Sequence, residues 1–141
     1  LLVEHGIALD LSTLYEVARF VTPVGPARRF DTRFFLALAP SAQQAHPDES
    51  EIMAHRWITP ARAMAEWRAG ELQMMAVTHR MLSCLDRFPS AAAAVARAAE
   101  QVEPARLRVD DPDGEYIVHL PSDPGYAAAE LEIEHGSIRL Y

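Results

Sequence analysis

The amino-acid sequence predicts an α+β fold, a mixed sheet flanked by helices with a small β appendage at the C-terminus. Three observations carry this expectation. Residues 14–40 read as two strands around a proline- and glycine-containing turn, residues 59–101 hold helical periodicity with start and stop signals, and residues 107–141 return to alternating apolar and polar positions. At 141 residues and 50% apolar composition the chain is one domain, long enough to bury a sizeable core. A soft boundary falls near Glu103 and Pro104, separating residues 1–103 from an appendage at 104–141 that packs on the same domain.

The first residues look like the end of a helix closed by Gly6, with Asp10 or Ser12 opening the passage to the first strand; a helix cut at its beginning implies further sequence upstream. Residues 15–22 are rich in aromatic and β-branched types, Pro23, Gly25 and Pro26 form the turn, and residues 30–38 resume an apolar run that ends at Pro40. Alternation sends Phe30, Thr32, Phe34 and Leu36 to one face and Arg29, Asp31, Arg33 and Phe35 to the other. Residues 52–58 are expected to form a further strand anchored in the core by Trp57 and Ile58. Thr59 and Pro60 then start a helix that Gly70 stops, with Ala63, Met64 and Trp67 on its core face. A second helix over 77–88, capped by Thr78, turns Met81, Leu82, Leu85 and Phe88 inward. Pro89 breaks it and Ser90 caps a third over 91–101, whose alanines suit close packing inside the chain or, as a lesser option, a homodimer contact. Leu107 and Val109 pair through the turn at 110–114 with Tyr116, Val118 and Leu120, after which Leu131, Ile133 and residues 137–141 supply further strand.

Composition narrows the function classes. A net charge of -7 argues against nucleic acid as the main partner, which needs clustered positive charge. The lone Cys84 cannot form an internal disulfide and lies among apolar helical neighbours as a buried thiol, which points to a reducing, cytoplasmic setting. The longest weakly polar run, 90–99, is too short for a span of ~20 apolar residues, and no signal peptide is visible. Neither a P-loop, a Rossmann fingerprint nor a nucleophile elbow is present.

Local chemistry is more informative. Arg28, Arg29 and Arg33 gather beside a rigid turn. On one reading they line the solvated face of a half-buried strand, with Asp31 held as an ion pair between Arg29 and Arg33. On the other, planar and permanently charged guanidinium groups hold a phosphorylated small molecule through bidentate contacts. A second cluster, His46, Asp48, Glu49, Glu51 and His55, is the densest set of potential metal ligands, although its spacing is poor for a self-contained zinc site and equally suits a solvated acidic loop.

Phe20, Thr22 and Pro23, followed by Arg-Arg-Phe-Asp-Thr-Arg-Phe-Phe at 28–35, resemble the Nudix hydrolases, in the subgroup related to a peroxisomal coenzyme A diphosphatase. Asp48, Glu51, Trp57 and Pro60, and then Pro121, Gly125 and Tyr126, extend the likeness over most of the chain. The resemblance implies an α/β/α sandwich, here truncated at its N-terminus, and a magnesium- or manganese-dependent pyrophosphohydrolase acting on a nucleoside diphosphate derivative, a coenzyme A ester above all. It implies that Arg28, Arg29 and Arg33 position substrate, that Asp31 fixes the arginines, and that Glu51, with Glu49 as fallback, assists metal or water. The family's glutamate-rich box matches no segment of this sequence, so most metal ligands are expected upstream and the chain alone is expected to hydrolyse little or nothing. The alternative is a catalytically empty Nudix-like module that binds a phosphorylated ligand or a protein partner.

Overall fold

The computed structural model describes residues 4–6, 8, 10–24, 27–42, 44–48, 50–52, 54–110, 116–129 and 136–141. The fold is α+β, with three helices and two antiparallel sheets among these residues. The chain divides into two compact units, Leu1–Ala37 with Val95–Tyr141, and Leu38–Ala94.

In the first unit, β1 (Tyr15–Val21) and β2 (Asp31–Leu36) form the expected hairpin, because β-branched and aromatic residues favour strand on either side and Pro23, with no N–H to donate, ends the first. Their register places Ala18 opposite Phe34, Arg19 opposite Arg33 and Val21 opposite Asp31, with an irregularity between Glu16 and Ala18. That irregularity has a consequence for the core: Val17 and Ala18 are both buried although they are adjacent in a strand, as an inserted residue allows. Phe20 is buried and meets Phe34 edge to face at 5.5 Å between ring centroids. Burying a phenylalanine of this kind contributes roughly 2–3 kcal/mol.

The other neighbour of β1 comes from the far end of the chain. The four-stranded sheet runs β2-β1-β6-β3, with β6 at Gly136–Ile138 and β3 at Ala105–Arg106. The C-terminal residues, read from sequence as part of an appendage, thus contribute an interior strand. Ile138 and Leu140 are fully buried with Leu107, and Arg139 donates its N–H to the Val17 carbonyl at 2.8 Å. The pairing depends on Gly136, whose φ is +116° and whose position would place any Cβ 1.8 Å from the Arg19 carbonyl oxygen. A second, two-stranded sheet joins β4 (Arg108–Asp110) to β5 (Ile117–His119), the hairpin that the sequence predicts; its turn at 111–115 lies outside the described residues, as do Leu131 and Ile133. His119 is a strand residue facing the loop of Gly125.

In the second unit, α1 (Pro60–Arg68) begins at the Thr59 cap and closes at Gly70, whose φ of +76° takes the left-handed conformation that glycine tolerates. Ala63 and Met64 are buried as expected. Trp67 is 40% exposed and sets its ring 4.3 Å from that of His79, tilted by 44°, instead of entering the core. The next helix, α2 (Ala76–Leu85), packs on α1 with Met81 and Cys84 buried; Ser83 Oγ donates to the His79 carbonyl and lies 3.3 Å from Met64 Sδ. Two expectations are corrected here. The cap of α2 is Met75, with no side-chain hydrogen bond, so Thr78 falls inside the first turn. Described residues of 52–58 form no strand, and Trp57 is 77% exposed, because one apolar pair flanked by His55, Arg56 and the Thr59 cap finds no partner strand among the described residues.

The third helix, α3 (Ala91–Ala99), starts where Ser90 Oγ accepts the Ala93 N–H at 3.1 Å, and it crosses the division between the units. Its alanines at 94 and 98 are buried within the chain. No described helix is long and apolar enough to cross a membrane.

Gly136→Ala is expected to destabilise the protein by about 3 kcal/mol, through overpacking and an unfavourable backbone conformation together. Urea denaturation measures it; a loss below the effect of an ordinary surface substitution would show that β6 does not need this close approach.

Candidate functional site

The exposed face of the β1–β2 hairpin carries the charges that the sequence singles out, in different partnerships from those expected. Arg19 grips Asp31 with both arms of its fork, Nε to Oδ1 at 2.8 Å and a terminal nitrogen to Oδ2 at 2.7 Å. Arg33 reaches back to Glu16 Oε2 at 3.2 Å. Asp31 is therefore not held between Arg29 and Arg33. Both oxygens of Asp31 are taken by Arg19, while Arg29 turns its Nε to the Thr22 carbonyl and Arg33 turns to Glu16. Hydrogen bonds from Arg19, reinforced by the charges of Arg19 and Arg33, hold the Asp31 carboxyl below the usual aspartate value. Sequence alone does not single out Arg19 or Glu16; the signal for Arg19 is its place in the alternation of residues 15–22, once the turn sets the hairpin register.

Arg29 has a different task. Its Nε donates to the Thr22 carbonyl at 2.9 Å, across the mouth of the turn. There Thr22 N–H donates to the Phe30 carbonyl at 2.9 Å and Phe30 N–H to Thr22 Oγ1 at 3.0 Å. This explains the threonine: its hydroxyl accepts an N–H while its backbone closes the hairpin. Arg29 keeps both terminal nitrogens, and Arg28 its whole guanidinium, without a partner among the described residues. Both are exposed. Beyond the mouth, the Tyr116 hydroxyl donates to the Val24 carbonyl at 2.6 Å, tying the turn to the residue that leads into β5.

The acidic cluster lies in the second unit. Asp48 Oδ1 accepts the N–H groups of Ser50, Glu51 and Ile52 at 3.1, 3.0 and 2.8 Å, and these backbone bonds, that of Ile52 foremost, hold its carboxyl below the usual range. Asp48 thus organises the loop. Glu51 is exposed, with its backbone anchored by Asp48, and Glu49 lies outside the described residues. The rings of His46 and His55 stand 6.5 Å apart. Among the described residues no three His, Cys, Asp or Glu side chains converge into a metal site. The described groups do not make a site for a divalent ion, since no three of them converge and Asp48 Oδ1 is already committed to three N–H donors.

The Asp31 pair has a signed dependence on pH. The carboxyl titrates in the folded protein below the 3.8 of the free group. The unfolded chain therefore takes up the proton first as pH falls, and the pair's stabilisation is present above that value and lost as pH drops through the folded one. Asp31→Asn is expected to lower the denaturation midpoint slightly at neutral pH and low salt, with the gap to wild type closing in strong acid and shrinking at high salt. A gap independent of both would remove the ion pair as its cause.

No protein-family model matches the chain, and no solved structure matches it. Among curated proteins it is similar to human acyl-coenzyme A diphosphatase NUDT19, with 31% identity over 65 residues, which cover 45% of this chain and 17% of that protein. The chain thus spans less than a fifth of that relative, and the similarity supports a relationship to the Nudix hydrolases at most.

Proposed function

We propose that the protein is a Nudix-type pyrophosphohydrolase that cleaves the diphosphate linkage of a coenzyme A-like nucleoside diphosphate derivative, and that this chain supplies substrate-side contacts. The observation that carries the reading is the pair of guanidinium groups at the hairpin turn, Arg28 and Arg29, whose terminal nitrogens have no partner among the described residues. The partial similarity to an acyl-coenzyme A diphosphatase supports the same chemistry.

Arg29 is suited to phosphate because its Nε bond to Thr22 orients the fork before a ligand arrives, so less freedom is lost on binding. Arg28 adds a second permanent charge beside it. Two guanidinium groups give a local positive site on a chain of net charge -7, an arrangement that favours a small anion over an extended polyanion. Arg33 and Asp31 act at one remove, each engaged by a partner on β1. Glu51 is the carboxylate that this chain offers for orienting water. Magnesium or manganese enters as a requirement of the whole protein, held by groups other than those described, as the family's glutamate-rich box would provide.

The test is magnesium-dependent release of phosphopantetheine from coenzyme A by the full-length protein. Product is expected, and Arg28→Ala is expected to raise KM about tenfold, the loss of one charge-assisted contact, with kcat nearly unchanged. Binding without product would favour a non-catalytic module. Product formation with an unaltered KM in Arg28→Ala would remove the turn from the substrate site.

A further inference from the structure

Among the described residues, the bonds at the mouth of the β1–β2 turn act between Thr22, Arg29 and Phe30. They close the hairpin at its mouth and do not reach Val24. Among the described residues, the tie that reaches past the mouth is the Tyr116 hydroxyl on the Val24 carbonyl, made across 92 positions of sequence. At 2.6 Å it is a short, well-formed O–H···O bond. Its donor leads directly into β5, whose pairing with β4 gives it a firm base.

We infer that Tyr116 is a positioning residue for the phosphate-binding turn, holding Val24 so that Arg28 and Arg29 present their guanidinium groups in one arrangement. This rests on the reading that those arginines bind phosphate. The physical case is the exposure of the acceptor. Val24 is 58% exposed, so water can satisfy its carbonyl when the phenol is removed, and the bond is not required to keep a buried polar group paired. What the phenol adds is a fixed location for Val24, beyond the bonds that the described residues make at the mouth, and fixing a binding segment in advance improves affinity by reducing what must be ordered on binding. The half-buried Tyr116 ring remains in place when only its oxygen is deleted, which separates placement of the turn from packing.

The experiment uses the full-length protein with Tyr116→Phe and Arg28→Ala side by side. It measures the dissociation constant for inorganic pyrophosphate, steady-state kinetics with coenzyme A, and the thermal midpoint. Tyr116→Phe is expected to raise the pyrophosphate dissociation constant and the coenzyme A KM about three- to tenfold, with kcat and the thermal midpoint nearly unchanged, the range expected for one neutral hydrogen bond. Amide exchange at Val24, Ala27 and Arg28 is expected to quicken in the variant while that of β1 stays constant. If Arg28→Ala weakens pyrophosphate and Tyr116→Phe does not, the positioning role is overturned and the arginine site stands. If neither variant alters binding, the arginine site itself fails and the inference with it. Should Tyr116→Phe lower the thermal midpoint, unchanged exchange at those amides would still overturn the inference.

Discussion

The close approach of β6 to β1 at Gly136 is the constraint on which the first unit depends. A strand of three residues contributes little pairing by itself, yet it occupies an interior place in the sheet because no side chain stands between Gly136 and the Arg19 carbonyl. With β6 seated, β1 is hydrogen-bonded on both edges, and Ile138 and Leu140 are buried with Leu107. The geometry of β1 then determines that of β2 and of the turn between them. A position far from the arginines in sequence thereby supports the frame that displays them.

Charge on the outer face of the hairpin is divided between structure and display. Arg19 and Arg33 are engaged by carboxylates of the neighbouring strand, so the strand face is internally balanced. Arg29 spends one nitrogen on the turn and keeps two, and Arg28 is committed to no described group. The positive character available to a ligand is thus concentrated at the turn, although residue type alone does not distinguish Arg33 from Arg28 and Arg29. Such a division follows from geometry, since the strand registers side chains against one another and the turn does not.

In the second unit the acidic loop shows the reverse case, a cluster whose chemistry is absorbed by the backbone. Asp48 has the residue type of a ligand and the surroundings of a loop organiser, with three N–H groups converging on one oxygen. Its lowered carboxyl reflects those donors, so a perturbed acid here reports local structure and not catalysis. Glu66 is similar, drawn down by hydrogen bonds from Arg62 and Arg56 on its own unit's surface.

The sequence by itself determined the local elements: the hairpin at 15–36, the α1 start at Thr59 with its stop at Gly70, the Ser90 start of α3, the β4–β5 pairing and the burial of Cys84. Each rests on neighbours in sequence, on turn chemistry, caps and periodicity, which act within a few residues. It also singled out the arginines of the turn, because residue type alone limits what a guanidinium group can do. Tertiary structure decided which charges meet: Asp31 with Arg19, Arg33 with Glu16, Tyr116 with Val24. It decided too that Trp57 is exposed and that the C-terminal strand lies beside β1. These outcomes depend on register and on contacts between distant segments, and periodicity, which records only that a face is buried, carries no information on what buries it.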